Sequence, residues 1–440
     1  MLGISRAGAR QSINQCPNFG VLQLNEKKKT AAAVSSPPTL KFTRGQLGMT
    51  LKALKTNQES LQTAVSALKN STETAKFRIE KLQAHGYGSL AYSSLQKGLQ
   101  YFMHPELGYV AYTPLRDGPN SICVLADPIC SKENIKPLIE ELMKVKSDPI
   151  FLHISHDTGE VLNQMGFSVN ELGVETVVEI QTFNLVGNKK QQLRNARNGA
   201  KKDEITVIEI DTMDDAMLKS FKKISDGWMK EKVISDNEMQ FIVRPVVFVD
   251  EIDVRKFVAI KDKEVVGFVI FDPMYEDGKV IGYMANHLRT NLERTYSVVD
   301  YIILEALEKF KAEGKRDLSL GLSPLAKVDD SQEFRHSKLL KAHFKYAFER
   351  ANFLYNFKNL ARHKLKYRPE LDGAREEKVY CAMKTRFFLI RLYDVYRVLG
   401  LNPLQQTLNH LKRSTIELFR SALGKKQAEE KTAGTKEPVK

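Results

Sequence analysis

The chain has 440 residues, 42% hydrophobic and 27% charged, with a formal net charge of +14. That length exceeds one ordinary domain and leaves room for two packed cores and tails. The composition excludes a fibrous or wholly disordered chain, and the basic excess points to an anionic partner, nucleic acid or a lipid surface. The longest purely apolar run, "VVGFVIF" at 265–271, is far short of the ~18 residues of a membrane span. Four cysteines, Cys16, Cys123, Cys130 and Cys381, show no CxxC pair and no zinc spacing. They read as free thiols in a reducing compartment.

Residues 1–45 lack hydrophobic pattern and read as a disordered leader, with a faint likeness to an organelle transit segment. From 46 to 84, apolar residues recur at three- and four-residue steps, which predicts helix. Then the texture changes. "GYVAYTPL" and "SICVLAD" read as strands, "NIKPLIEELMKVK" as a helix and "PIFLHIS" as a strand. "GEVLNQMGF" follows as a short helix and "VETVVEI" as another strand. This β-β-α-β-α-β order makes 46–185 a helical segment followed by a small α/β unit.

"NKKQQLRNARNGAKK" at 188–202 predicts a basic helix. Lys190, Arg194, Arg197 and Lys201 fall at i, i+4, i+7 and i+11, on one face and with no acid in the segment. An ordinary solvated helix mixes signs, so these four are candidate contacts to RNA phosphates.

Residues 186–383 repeat the α/β texture: "ITVIEID" strand, "DAMLKSFKKISDGWMKEK" helix, and a hairpin turning at Asp262–Lys263. "KVIGYMANHL" is the next strand, "VVDYIILEALEKFKAEG" a helix closed by Gly314, and "DLSLGLSPLA" a strand running into a loop. Residues 333–360 read as helix again. The halves look alike in texture, without a residue-level repeat. From 384 to 424 two amphipathic basic stretches follow. They suit either an anionic membrane surface or packing on protein. Residues 425–440 read as a disordered tail.

The segment "LYNFKNLARHKLKYRP" at 354–369 concentrates six Lys, Arg or His residues among Tyr355, Phe357 and Tyr367. If extended, Lys364 and Lys366 share a face, joined by Arg362, with Tyr355 and Phe357 as stacking surfaces. That mix fits phosphate, either of a single-stranded RNA end or of a lipid. A solvated helix face is the alternative.

Taken in order, "GYVAY" (108–112), "LADP" (125–128), "GF" (166–167), "LRNARN" (193–198), Trp228, "VVDYII" (298–303), "LGLSPL" (320–325) and the 354–369 segment resemble the cytosolic catalytic region of the phosphatidylglycerol lysyltransferases, the multiple peptide resistance factors. The resemblance covers roughly 86–383. It implies an α/β (α+β) chain of two tandem GNAT-like acyltransferase domains joined near the basic helix, with the C-terminal amphipathic helices appended. It implies an acyltransferase that moves an aminoacyl group from transfer RNA to a lipid hydroxyl such as that of phosphatidylglycerol. The family's membrane flippase has no counterpart in this sequence, so a free-standing form is expected, cytoplasmic and peripheral at the inner face of the membrane, touching it through 384–424. No cofactor beyond the aminoacyl-tRNA donor and no metal is expected. The absence of a P-loop, a GxGxxG and a metal-ligand set agrees. An acyl-coenzyme A acyltransferase and a non-catalytic RNA- or membrane-binding module are the alternatives.

The family has an acidic residue three positions before an arginine. Here the stretch is "ANHLR", so Asn286 stands in that place and Arg289 keeps its own. Asparagine accepts a hydrogen bond but brings no negative charge, so lysine specificity does not carry over. Asn286 and Arg289 are the candidate amino-acid-recognition residues. His287 is a candidate base, although strand alternation points it away from Asn286. Asp300, at the start of a helix, is a catalytic candidate or a charge on the helix dipole. Gly321 and Ser323, at a strand end, offer backbone N–H groups to an oxyanion or a phosphate.

Overall fold

The computed structural model describes residues 71–116, 118–231, 241–291, 296–329, 333–350, 355–384 and 388–401. The expectations for the leader and the polar tail lie outside these residues. The first half contains helix α1 (71–85), then β1 (Gln100–His104), β2 (Gly108–Pro114), β3 (Ser121–Leu125) and the short β4 (Ile129–Cys130). It continues with α2 (Ile135–Val145), β5 (Asp148–Ile154), α3 (His156–Gln164) and β6 (Ser168–Glu179). The second half runs α4 (Gln191–Lys202), β7 (Thr206–Ile210), α5 (Asp215–Glu231), β8 (Arg255–Lys261), β9 (Glu264–Glu276), β10 (Lys279–Thr290), α6 (Val298–Ala312) and β11 (Asp317–Pro324). Helices α7 (Lys338–Arg350) and α8 (Phe357–Leu365), strand β12 (Ala374–Met383) and helix α9 (Phe388–Val398) complete it.

Local chemistry explains most of these elements. In α2 the buried side chains are Ile135, Leu138, Ile139 and Leu142, one stripe of a 3.6-residue helix. The β8–β9 turn puts Asp262 and Lys263 at φ 50° and 65°, the two left-handed residues that a two-residue hairpin requires. The Ser297 hydroxyl caps α6 by accepting from the Asp300 N–H, and Gly314 ends the helix at φ 73°.

The strands form one mixed sheet in the order β1-β2-β3-β5-β12-β6-β11-β10-β9-β8-β7, with β4 beside β2. Each half is an antiparallel meander, a helix, a parallel return strand, more helix and a last antiparallel strand. The parallel pairs are β3 with β5 and β10 with β11. The last strands are exchanged: β12 of the second half pairs with β5 of the first, and β6 of the first pairs with β11 of the second. β6 and β12 then pair with each other along most of their length, from Ala374–Val178 to Met383–Ser168. The duplication suspected from texture is thus present in topology. The break in sequence at 185/186 is not a break in the sheet. Neither β1 nor the central β12 was expected from the sequence. In β12 the polar stretch "REEK" precedes the buried "VYCAM", so the strand shows no two-residue alternation.

A candidate active site where the strands part

β10 and β11 pair only from Gly282–Asp317 to Met284–Ser319. Beyond that β10 stays with β9 and β11 with β6, so backbone groups at the parting need other partners. Side chains supply them. The Gly321 N–H donates to Ser319 Oγ at 2.8 Å, and the Ser319 hydroxyl donates to the Glu175 carboxylate. The Lys364 ammonium donates to the Leu322 carbonyl at 2.5 Å. Gly321 sits at φ 75°, and a Cβ there would meet the Met284 side chain at 3.1 Å. Its N–H is therefore already engaged, and Ser323 is buried in register with Val174. These two do not form the free pair of donors expected at this strand end.

On β10, Asn286 is the extra residue of a β-bulge between Ala285–Phe271 and His287–Ile270. The bulge breaks the alternation that was to separate it from His287. Asn286 Nδ2 donates to Asp272 Oδ2 at 2.6 Å; a carboxylate neighbour dictates that amide orientation. Asp272 has no exposure and takes two further bonds from Arg244, Nε at 2.8 Å and Nη2 at 2.6 Å. Arg244 also holds both oxygens of Glu251 at 3.0 Å. The buried Asn286 Oδ1 and His287 Nε2 have no hydrogen-bond partner. Burial first, then the charges of Arg244 and Arg289, hold the His287 imidazole well below its ordinary value, so it is neutral. Arg289 is buried with its guanidinium 4.6 Å from the Trp228 ring centroid, on α5. Trp228 is thus half-buried against a cation and not a pure core residue. Sequence reasoning missed Arg244, Glu251 and Asp272. The available signal was Asp272 itself, an acid inside the apolar run "GFVIFDPM".

The 354–369 segment is helical from Phe357 to Leu365, not extended, so residues two apart point to different sides. Lys364 turns inward and is 5% exposed; burial lowers its ammonium to about 7 despite the carboxylate of Glu175. Lys366 instead donates to Asp300 Oδ2 at 2.7 Å. Asp300, 1% exposed, also accepts from Tyr367 Oη at 3.1 Å and lies 3.4 Å from His363 Nε2. Both of its oxygens are engaged by the chain itself, which ties the start of α6 to the end of α8. Phe357 is core, packed with Leu322 and Leu325, while Tyr355 lies 5.3 Å from it and is half-buried. Phe357 is therefore not an open stacking surface. Arg362 is exposed.

The basic helix α4 buries Leu193, Ala196 and Ala200. Lys190 precedes it in a 3-10 turn, is 2% exposed, and donates to the Asn184 carbonyl at 2.9 Å over the Phe183 ring. It is not on the outer face that spacing suggested. Arg194 holds the Leu185 carbonyl at 2.7 Å, Arg197 is half-buried and Lys201 is exposed. Arg194 and Arg197 border a depression of about 540 Å³ between α4 and α6.

Of the 384–424 stretch, only 388–401 is described, together with Lys384. In α9 Leu392 and Val395 pack into the core, and Arg391 pairs with Asp148. Among the described side chains of α9, Leu392 and Val395 thus face protein. No described helix is long and apolar enough to cross a membrane. A second cleft, of about 690 Å³, opens beside Asp127 and His153 of the first half and is walled on its other side by second-half residues such as Glu276, Arg316 and Asp317. The landmark "LADP" lies on its wall, but sequence reasoning assigned that motif no site role.

The model of the family "phosphatidylglycerol lysyltransferase, C-terminal" matches residues 79–382. The chain belongs to this family. The match runs from α1 to the end of β12 and takes in both halves of the sheet. The phosphatidylglycerol lysyltransferase of Bacillus subtilis is 26% identical over 284 residues, 63% of this chain and 32% of that protein. That of Staphylococcus xylosus is 25% identical over 316 residues, 69% of this chain and 35% of that protein. The chain thus spans about a third of the length of these relatives. Among solved structures, L-PGS from Bacillus licheniformis superposes with TM-score 0.61 at 18% identity, over 74% of this chain and 96% of that one. The C-terminal DUF2156 domain from Agrobacterium fabrum gives TM-score 0.58 at 18% identity, over the same shares. Both have the fold described above, the mixed α/β architecture that the resemblance implied.

Proposed function

We propose that the chain moves an aminoacyl group from an aminoacyl-tRNA to a hydroxyl of an anionic membrane lipid, phosphatidylglycerol being the first to test. The observation that carries this is the buried pair of unfilled hydrogen-bonding atoms, Asn286 Oδ1 and His287 Nε2, beside Arg289 in a chain of the lysyltransferase family. Unpaired buried polar atoms are costly, and a substrate that fills them recovers that cost.

The donor ester is already activated. The lipid hydroxyl attacks its carbonyl carbon, a new ester C–O bond forms, and the bond to the ribose oxygen breaks. The hydroxyl proton ends on that ribose oxygen. A group that carries the proton between the two needs an affinity near neutrality. Lys364, lowered to about 7 at the parting of β10 and β11, meets that requirement better than His287. Arg289 and the Asn286 amide orient the aminoacyl group, and Arg197 and Lys201 offer charge to the tRNA backbone. No metal or nucleotide enters this scheme. The work takes place at the inner face of a membrane, where a lipid headgroup and cytoplasmic tRNA meet.

Asn286 donates to Asp272 and leaves only a neutral, buried oxygen for a ligand. A neutral or small aminoacyl group therefore suits the site better than a lysyl group. The test is lipid extraction and mass spectrometry of cells with and without the gene expressed. New lipids heavier by one aminoacyl residue are expected, and the increment names the amino acid. Arg289→Ala should abolish them while leaving tRNA affinity nearly intact. An unchanged lipid profile with abundant folded protein overturns the reading.

A further inference from the structure

The two halves part their parallel strands alike. The last parallel pair is Met284–Ser319 in the second half and Leu125–Leu152 in the first. Two residues beyond Met284 stands Asn286; two beyond Leu125 stands Asp127. Just beyond the pair on the return strand, each half has a left-handed residue, Gly321 at φ 75° and His153 at φ 62°. Glycine takes that conformation freely. A histidine does not, and such residues gather at functional sites. In the second half Lys364 sits against the parting. In the first half the parting opens instead on the cleft of about 690 Å³, a size ordinary for a small-ligand site.

We propose that this cleft is a second ligand site, which takes a small primary amine through Asp127, with its carboxyl group masked as an ester or amide. The walls carry seven carboxylates against four Lys or Arg, in a chain whose net charge is +14. All four cations are already paired: Lys132 with Asp157 at 2.7 Å, Arg316 with Glu276 at 2.7 Å, Arg375 with Asp317 at 2.8 Å and Lys378 with Glu171 at 2.7 Å. Among the described residues no Lys or Arg pairs with Asp127. Its Oδ1 accepts the Ser155 N–H at 2.9 Å, and the neutral hydroxyls of Ser155 and Thr158 also stand beside the carboxylate. The Tyr87 hydroxyl, also on the wall, is buried without a partner. An anionic ligand would meet surplus negative charge here, and a free carboxylate would be disfavoured for the same reason. An ammonium supplies the missing cation. Burial pushes the Asp127 carboxyl up and the His153 imidazole down. Amine binding therefore strengthens as pH rises through the carboxyl's range.

The test uses the full chain and titration calorimetry with glycinamide, N-acetylglycinamide and glycine. Glycinamide should bind, and the other two should bind at least tenfold more weakly. Asp127→Asn keeps the acceptor for Ser155 and should weaken glycinamide at least tenfold, whereas Asn286→Ala should leave this site filled. Equal binding of the acetylated probe or of glycine, or unchanged binding by Asp127→Asn, overturns the proposal. If Asp127→Asn does not fold, the wild type decides: saturating glycinamide must shift the Ser155 amide and His153 ring resonances, and their constancy overturns it. None of these readouts involves aminoacyl transfer, so the site stands or falls apart from the proposed function.

Discussion

Replacing Lys364 by methionine should make the protein more stable at neutral pH and less stable at high pH. In the folded chain the ammonium is buried and lowered from 10.5 to about 7. That gap corresponds to roughly 4–5 kcal/mol of folding free energy, lost in full below about pH 7, where both states hold the proton, and recovered as pH rises toward 10.5. The sign follows from proton counting. Between about 7 and 10.5 the unfolded state binds more protons, so wild-type stability rises with pH across that window and levels off above it. Methionine removes the charge penalty but strands the Leu322 carbonyl, at a cost of about 1–3 kcal/mol. The variant should therefore exceed wild type by roughly 2–3 kcal/mol at pH 7 and fall below it near pH 10.5. Urea unfolding of both proteins from pH 6 to 10.5 measures the difference. A difference that stays constant across that range refutes the reasoning. Transfer activity should be lost in the variant, the usual exchange of stability for a functional group.

Three further outcomes are expected. Asp300→Ala should cost roughly 3–5 kcal/mol in unfolding experiments, because Lys366 and Tyr367 lose their buried anchor; unchanged stability would deny it that role. Arg197→Ala and Lys201→Ala should each lower the slope of log affinity for tRNA against log salt by about 1, whereas Lys190→Ala should leave the slope and reduce stability instead. Asn286→Asp would set a second carboxylate against Asp272 where the amide now bonds at 2.6 Å. One of the two must keep a proton, so the variant should lose stability as pH rises above about 4, and a cationic probe such as lysinamide should restore it; a loss independent of pH would count against the shared proton.

The sequence by itself determined the elements whose chemistry is local. The stripe of α2, the Asp262–Lys263 turn, the Gly314 stop and the strand–helix alternation of both halves are all readable because their signals lie within a few residues. It also determined the family, since the ordered landmarks from "GYVAY" to the 354–369 segment needed no coordinates. It placed Asn286, His287 and Arg289 near one another because they are neighbours in the chain. Only the tertiary structure decided the rest. The exchange of β6 and β12 joins residues some two hundred positions apart, and β12 is a poor strand by alternation because consecutive residues from Val379 to Met383 are buried on both faces of the sheet. Arg244, Asp272 and Glu251 become one cluster only when a loop and a strand meet. Lys364 and Lys366 part company because the segment coils into a helix. Lys190 leaves the basic face because the Asn184 carbonyl and the Phe183 ring take it. In most of these cases the deciding energy is the burial or pairing of a polar group, which no local pattern of residue types announces.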